Sequence, residues 1–375
     1  MKINIASPQI GQEEIQAVAE VLKSGMLAQG PKVKEFEEKF AKFIGVKFAV
    51  ATSSGTTALE VALRAHGIGP GDEVITTSFT FIASANSILY SGARPVLVDI
   101  EEDTFNIDPE KIEKAISKKT KAIMPVHLYG QAANMTKIMA IAKKHSFARK
   151  FSSENYKLVV IEDACQAHGS EWRNKKVGSF GTGAFSLYPT KNMTTGEGGM
   201  ITTDSKEIYE KCNLLRAHGS KVKYYHDILG YNYRMTDLEA AIGIEQLKKL
   251  PKFNRARIKN AQYLNNNLGK IEGIIVPGPA KEAKHVYHQY TVRITKDFPL
   301  SRDEVLTKLT EAGIGTAVFY PLPINGQKVY KDLGYKADTP IAAKVAKEVL
   351  SLPIHPGLKK QDLNYIIKIF KRLRK

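Results

Sequence analysis

The run Leu158-Val159-Val160-Ile161 is short, unbroken and rich in β-branched residues, and it ends in acid at Glu162-Asp163. A run of that kind predicts a strand buried on both faces, which commits the surrounding chain to covering a parallel sheet with helices. An acid at the carboxyl end of a buried parallel strand stands where open α/β sheets bind their ligands, so Asp163 is expected to face a ligand rather than the core. A second short strand over 184–188 follows. Pro189 cannot donate to a sheet ladder and ends that strand, leaving Lys191 on a loop closed by Gly196-Glu197-Gly198-Gly199.

Elsewhere the chain repeats the alternation. Short apolar runs predict strands over 48–51, 73–76, 95–98 and 121–126, with helices over 58–65, 82–90 and 134–145 among them and a further helix start at Asp108-Pro109. Such alternation implies a mostly parallel sheet with helices on both faces. Two helices precede it: one over 12–22 with Ile15, Val18 and Leu22 on its inward face, and one carrying Val33, Phe36, Phe40 and Phe43 as a core stripe. Helices over 206–216 and 237–250 follow the lysine loop. From Pro251 the pattern shifts to a long polar helix, a strand over 290–294, a helix near 302–312, a strand through Ala317, Val318 and Phe319, and a basic helix over 363–373. The expectation is an α/β protein with a large domain over 1–250, its mostly parallel mixed sheet flanked by helices, and a smaller α+β domain over 251–375. The polar segment 146–157 is expected to be a surface insertion.

Composition narrows the function. Lys and Arg number 55 against 38 Asp and Glu, a formal charge of +17, but the basic residues are scattered and no nucleic-acid-binding motif accompanies them. The excess reads either as a lysine-rich solvated surface or, more sharply, as steering of anionic ligands. Gly178-Ser179-Phe180-Gly181-Thr182-Gly183 has the wrong spacing for a dinucleotide fingerprint, and a strand rather than a helix follows it. The two cysteines, Cys165 and Cys212, make neither a disulfide framework nor a zinc pattern, so no metal is expected. No signal-peptide run opens the sequence and no stretch of about 18 apolar residues predicts a membrane span, which points to a cytoplasmic enzyme.

A lysine on a constrained loop, with an acid on a neighbouring strand end, is the arrangement a pyridoxal phosphate (PLP) site needs: an amine to condense with the cofactor aldehyde, and a carboxylate to pair with the pyridinium nitrogen. Most loop lysines are solvated, so the pairing carries the signal and the lysine alone does not. Thr52-Ser53-Ser54-Gly55-Thr56-Thr57, at a helix start, can present backbone N–H groups to an anion. The same residues serve equally as ordinary helix caps. His127, at a strand end, has the chemistry of an acid or base, but a hydrogen-bonded structural role fits it as well, and it is kept out of the catalytic set.

Two blocks, Glu162-Asp163-Ala164-Cys165-Gln166-Ala167-His168-Gly169 and Ser186-Leu187-Tyr188-Pro189-Thr190-Lys191-Asn192-Met193-Thr194-Thr195-Gly196-Glu197-Gly198-Gly199, resemble in order and spacing the signature blocks of the DegT-type nucleotide-sugar aminotransferases. The resemblance runs from Ile5 to about Leu358. It implies the PLP-dependent transferase fold (fold type I), and transfer of an amino group from glutamate to a nucleotide-linked keto sugar in amino-sugar or surface-polysaccharide biosynthesis. It makes Lys191 the Schiff-base lysine and Asp163 the partner of the ring nitrogen. It assigns Gly55, Thr56 and Ser186 to the cofactor phosphate, Gln166 to the ring hydroxyl and Phe81 to one face of the ring, although an aromatic at a strand-to-helix turn is by default core. On the residues alone, Gln166 and Ser186 could equally bond nearby backbone.

The resemblance also implies a homodimer with shared active sites, because Asn232 matches the residue that such enzymes send across the interface to the neighbour's phosphate. A turn asparagine bonding its own backbone is the competing reading. Thr194-Thr195-Gly196-Glu197-Gly198-Gly199 is more similar to the loop of relatives that aminate carbon 4 than to the Gly-Asp-Gly-Gly loop of those acting on carbon 3. Phe319 and Asn325 stand where many relatives carry histidine, which bears on the sugar contacts. Related sugar dehydratases replace the Schiff-base lysine, so Lys191 argues against that activity. A non-catalytic PLP-binding regulator would need a DNA-binding module for which the chain has no room.

Overall fold

The computed structural model describes residues 2–148, 157–222 and 224–374. Seven strands form the main sheet: β1 (Phe48–Thr52), β2 (Glu73–Thr77), β3 (Arg94–Val98), β4 (Thr120–Met124), β5 (Val159–Asp163), β6 (Thr182–Ser186) and β7 (Gly199–Thr203). Their spatial order is β1-β7-β6-β5-β4-β2-β3. Only β7 runs against the rest, antiparallel to β1 on one side and β6 on the other. Neighbouring residues of a strand point to opposite faces. Accordingly Ile75, Ile123 and Val160 enter one core with Phe36, Phe40 and Phe185, while Val74, Ala122 and Ile161 enter another with Leu59, Leu63 and Ile201. The continuous apolar runs exist because both faces are covered.

The covering helices begin with α1 (Gln12–Ser24), α2 (Pro31–Ile44), α3 (Gly55–Ala65), α4 (Ala83–Ser91), α5 (Pro109–Ala115), α6 (Met135–Ala148), α7 (Lys206–Arg216) and α8 (Asp237–Leu268). Pro31 opens α2, where its missing N–H costs nothing. The otherwise unsatisfied N–H groups of Gly30, Lys32 and Val33 donate to the buried Asp237 carboxylate at 2.8, 3.2 and 2.9 Å, which locks α2 to the start of α8.

Three expectations are corrected. The inward face of α1 is built on Val21 and Glu14, whereas Ile15 and Leu22 are each 56% exposed. Glu14 can be buried because it accepts bonds from the Gly11 N–H at 2.8 Å, Gln246 Nε2 at 2.8 Å and Lys249 Nζ at 2.7 Å. The separate helices expected on either side of Pro251 are one helix, α8. Proline removes one internal bond, but Leu250 is seated in the core under the sheet and Ala261, Leu264 and Leu268 in a second core, and that burial outweighs the loss. The strand expected through 317–319 reduces to a single bridge between Ala317 and Ser351. Of the expected 146–157 insertion, residues 149–156 lie outside the described residues.

The second core surrounds a three-stranded antiparallel sheet of β8 (Ile274–Ile275), β9 (Tyr290–Ile294) and β10 (Val349–Leu352), with β9 central. It contains Tyr290, Val292, Leu350, Ile366 and Phe370 with α8 residues, and Ile3 from the amino-terminal segment joins it through a bridge to Ile314.

At the end of β5 the alternation sends Glu162 and Asp163 to opposite faces. Glu162 is fully buried. Its carboxylate accepts the N–H groups of Gly178, Phe180 and Gly181 at 2.8, 2.8 and 2.9 Å, and lies 3.1 Å from His127 Nε2. His127 Nδ1 accepts the Ala133 N–H at 3.0 Å, so the ring proton sits on Nε2 and is donated to Glu162. His127 is thus a structural ligand of a carboxylate, away from the catalytic set. Burial alone would raise the Glu162 carboxyl, but His127 and the backbone donors outweigh it and hold it below the ordinary range. A carboxyl depressed on folding contributes stability above about pH 4.5 that is lost as the pH falls through the depressed value. Glu162→Gln should lower stability by about 3 kcal/mol, because an NH2 then meets donors. Thermal melts from pH 7 to pH 3 should show a wild-type acid decline that is shallower in the variant.

Candidate active site

The carboxyl ends of β1, β2, β5 and β6 open on a cavity of about 430 Å³. Its walls are Ser54, Gly55 and Thr56 at the start of α3, Phe81 and Ser84 after β2, Asp163, Gln166, Ser186 and Lys191, with His288, Gln289, Phe319 and Tyr320 closing the far side. Seven of the eight residues expected at the cofactor therefore share one cavity. Asn232 is the exception.

Ser54, Gly55 and Thr56 bring the N-terminus of α3 to the cavity wall, and a helix N-terminus is a ready site for an anion. Ser54 caps the helix, accepting the Thr57 N–H at 3.1 Å. Gly55 is required by close approach: a Cβ there would lie 2.6 Å from Ser186 Cβ and 3.0 Å from Cys165 Sγ. Residues 53–57 include no lysine or arginine.

Asp163 is buried at the end of β5. Ser84 Oγ donates to its Oδ2 at 2.6 Å and the Cys165 N–H to its Oδ1 at 3.1 Å, which orients the carboxylate. Ser84 was not foreseen; the signal was its place four residues after Thr80, whose Oγ1 lies 3.2 Å from Ser84 Oγ. Lys191 is half-buried, on a loop held independently of it. Asn192 Nδ2 donates to Asn254 Oδ1 at 2.8 Å and to the Val286 carbonyl at 3.1 Å, and Thr194 Oγ1 to the Leu187 carbonyl at 2.9 Å. Burial pulls the Lys191 ammonium below its ordinary value, opposed by Cys165 and Asp163. More of the amine is then neutral near pH 7, as a nucleophile or base requires.

Phe81 is 55% exposed at the cavity, so it is not a core residue; its ring centroid is 6.1 Å from that of Tyr320. Gln166 accepts the Tyr129 N–H at 2.9 Å and donates to Tyr320 Oη at 3.1 Å, while Ser186 Oγ accepts the Tyr188 N–H at 3.4 Å. Tyr320, part of a Tyr320-Pro321-Leu322-Pro323 run that the resemblance also covers but to which the sequence assigned no role, lines the cavity. Phe319 lines the cavity, but Asn325 does not. Asn325 instead donates to the Ala337 carbonyl at 3.0 Å and accepts from Thr339 Oγ1 at 3.3 Å. Asn232 is exposed, pairs through its backbone with Ala217, and makes no side-chain hydrogen bond with its own turn among the described residues.

The model of the DegT/DnrJ/EryC1/StrS aminotransferase family matches residues 8–371. A protein of Geobacillus stearothermophilus named pleiotropic regulatory protein is 45% identical over 96% of this chain and 94% of its own. The UDP-N-acetyl-3-dehydro-alpha-D-glucosamine 3-aminotransferase of Acidithiobacillus ferrooxidans is 39% identical, over 96% of this chain and 93% of its own. The PLP form of a putative sugar aminotransferase, Spr1654 of Streptococcus pneumoniae, superposes with a TM-score of 0.93 at 30% identity, covering 100% of this chain and 99% of that one. The residues present fit the cofactor: an anion seat, a buried oriented carboxylate and an amine of lowered basicity border one cavity of suitable size.

Proposed function

This chain belongs to the DegT/DnrJ/EryC1/StrS aminotransferase family and is a PLP-dependent sugar aminotransferase of fold type I; on that premise we propose that it moves an amino group from glutamate to carbon 4 of a nucleotide-linked keto sugar, as a cytoplasmic homodimer. The observation that carries the reading is the meeting of Lys191, Asp163 and the α3 N-terminus in one cavity.

Bound PLP supplies an aldehyde that condenses with amines and a ring that takes up the electrons released at the donor α-carbon. In the proposed assignment Lys191 would hold the cofactor through its amine and, when that amine is free, would move the proton at the donor α-carbon. Asp163 keeps the ring nitrogen protonated by a charge-assisted bond. Gly55, Thr56 and Ser186 hold the phosphate, Gln166 the ring hydroxyl and Phe81 one ring face, with Asn232 reaching the phosphate of the partner subunit. Exposed apolar side chains support a dimer: Ile10, Ile15, Leu22, Met26 and Leu27 lie in one amino-terminal stretch, and Tyr224, Tyr225 and Leu229 on and beside the hairpin formed by Ser220–Val222 and Tyr225–His226.

The choice of carbon 4 rests on the loop 194–199, and the name of the relative from Acidithiobacillus weighs toward carbon 3. A regulatory reading is favoured by the name of the Geobacillus relative alone. One screen separates these readings: the enzyme is loaded as pyridoxamine phosphate, offered UDP-, GDP- and dTDP-linked 3-keto and 4-keto sugars, and followed by visible absorbance and by NMR of the product. Absorbance should return with a 4-keto sugar. Preference for a 3-keto sugar would refute the carbon assignment, and silence of the pyridoxamine form with every sugar together with silence of the PLP form toward L-glutamate would favour the regulator.

A further inference from the structure

Tyr129, in the turn after β4, is assigned no part in holding the cofactor, yet three walls of the cavity are tied to it. It is buried, and its φ of 57° places a non-glycine residue in the left-handed region. Such a conformation persists where the surroundings over-determine it. Its N–H donates to Gln166 Oε1 at 2.9 Å, its carbonyl accepts the Gln289 N–H at 3.2 Å, and its hydroxyl donates to the Phe319 carbonyl. Gln166, Gln289 and Phe319 come from three distant segments, and all three line the cavity. Gln166 passes the connection on to Tyr320. The Phe105 ring packs against the tyrosine ring at 70°, with 5.6 Å between centroids.

We infer that Tyr129 is a positioning residue for the sugar half of the reaction: its backbone fixes Gln166 on the cofactor side, and its hydroxyl fixes the Phe319–Tyr320 wall against which the sugar is oriented. The inference rests on amino transfer to a sugar and not on the nucleotide or the carbon. The two kinds of bond are separable, because Tyr129→Phe removes only the hydroxyl.

In the holoenzyme, Tyr129→Phe should raise KM for the keto-sugar nucleotide that the screen selects by about five- to tenfold, with kcat within about twofold. The L-glutamate half-reaction and PLP affinity by fluorescence titration should match wild type, and Tm should fall no further than in the comparison variant below. Tyr290→Phe is the structural comparison: its equally buried hydroxyl bonds Asn265 Oδ1 at 2.7 Å, and its loss should lower Tm while leaving the sugar KM alone. An unchanged sugar KM in Tyr129→Phe, or a rise matched by loss in the glutamate half-reaction or in cofactor affinity, overturns the assignment. Crystals of wild type and variant decide it even if no sugar in the screen is aminated. The Phe319–Tyr320 segment should shift by about 1 Å or more, and coincident positions overturn the inference while a failed screen counts only against the sugar proposal.

Discussion

Replacing Lys191 with alanine is expected to abolish transamination, by a factor of at least ~10⁴, and to remove the visible absorbance of the bound cofactor. Both losses follow from one amine. The fold should survive, because the loop is anchored by Asn192 to Asn254 and Val286 and by Thr194 to Leu187, none of which involves the lysine side chain. Burial lowers the Lys191 ammonium, so the wild-type amine condenses with the cofactor at a lower pH than an exposed lysine would. Borohydride reduction of wild type should fix the cofactor to the peptide bearing Lys191. Label on any other lysine, or retained turnover in Lys191→Ala with a normal circular dichroism spectrum, would refute the assignment.

Most of the parallel part of the sheet was legible because its strands are short apolar runs, several closed by a recognisable stop (Asp99 after β3, Pro125 after β4, Asp163 at the end of β5), and both faces are covered by helices. Strand β7 was not. Met200-Ile201-Thr202-Thr203 follows the Gly196–Gly199 turn directly, and nothing in a four-residue run reveals its direction; the antiparallel pairing is imposed by β1 and β6. The face of α1 was misread because Glu14, satisfied by three donors, occupies an inward position that periodicity reserves for apolar residues. Within the cavity, Lys191 and Asp163 announce themselves by residue type and placement. Tyr129 and Ser84 act through bonds between segments 37 to 190 residues apart, and no local pattern encodes such distances.

Mixing two inactive proteins, Lys191→Ala and Asn232→Asp, is expected to restore about a quarter of wild-type activity. The expectation begins with charge. The cofactor phosphate is a dianion, yet residues 53–57 offer it only N–H groups and hydroxyls, so a further donor is needed. Asn232 does not line the cavity of its own chain, is exposed, and spends no side-chain bond on its own turn among the described residues. Its amide is therefore free to serve the partner subunit's site, beside the exposed apolar hairpin at Tyr224 and Tyr225. Asn232→Asp is nearly isosteric but sets a carboxylate against the phosphate, which should weaken cofactor binding and stop turnover. After equal mixing, half the dimers are mixed. Each mixed dimer has one site bearing both lesions and one bearing neither, so one site in four works. Sites complete within a single chain would give no recovery, whatever the exchange. The measurement is the sugar half-reaction after subunit exchange, with exchange proven by native mass spectrometry. No recovery despite exchange, or full wild-type activity in a species that sediments as a monomer, would refute the shared site.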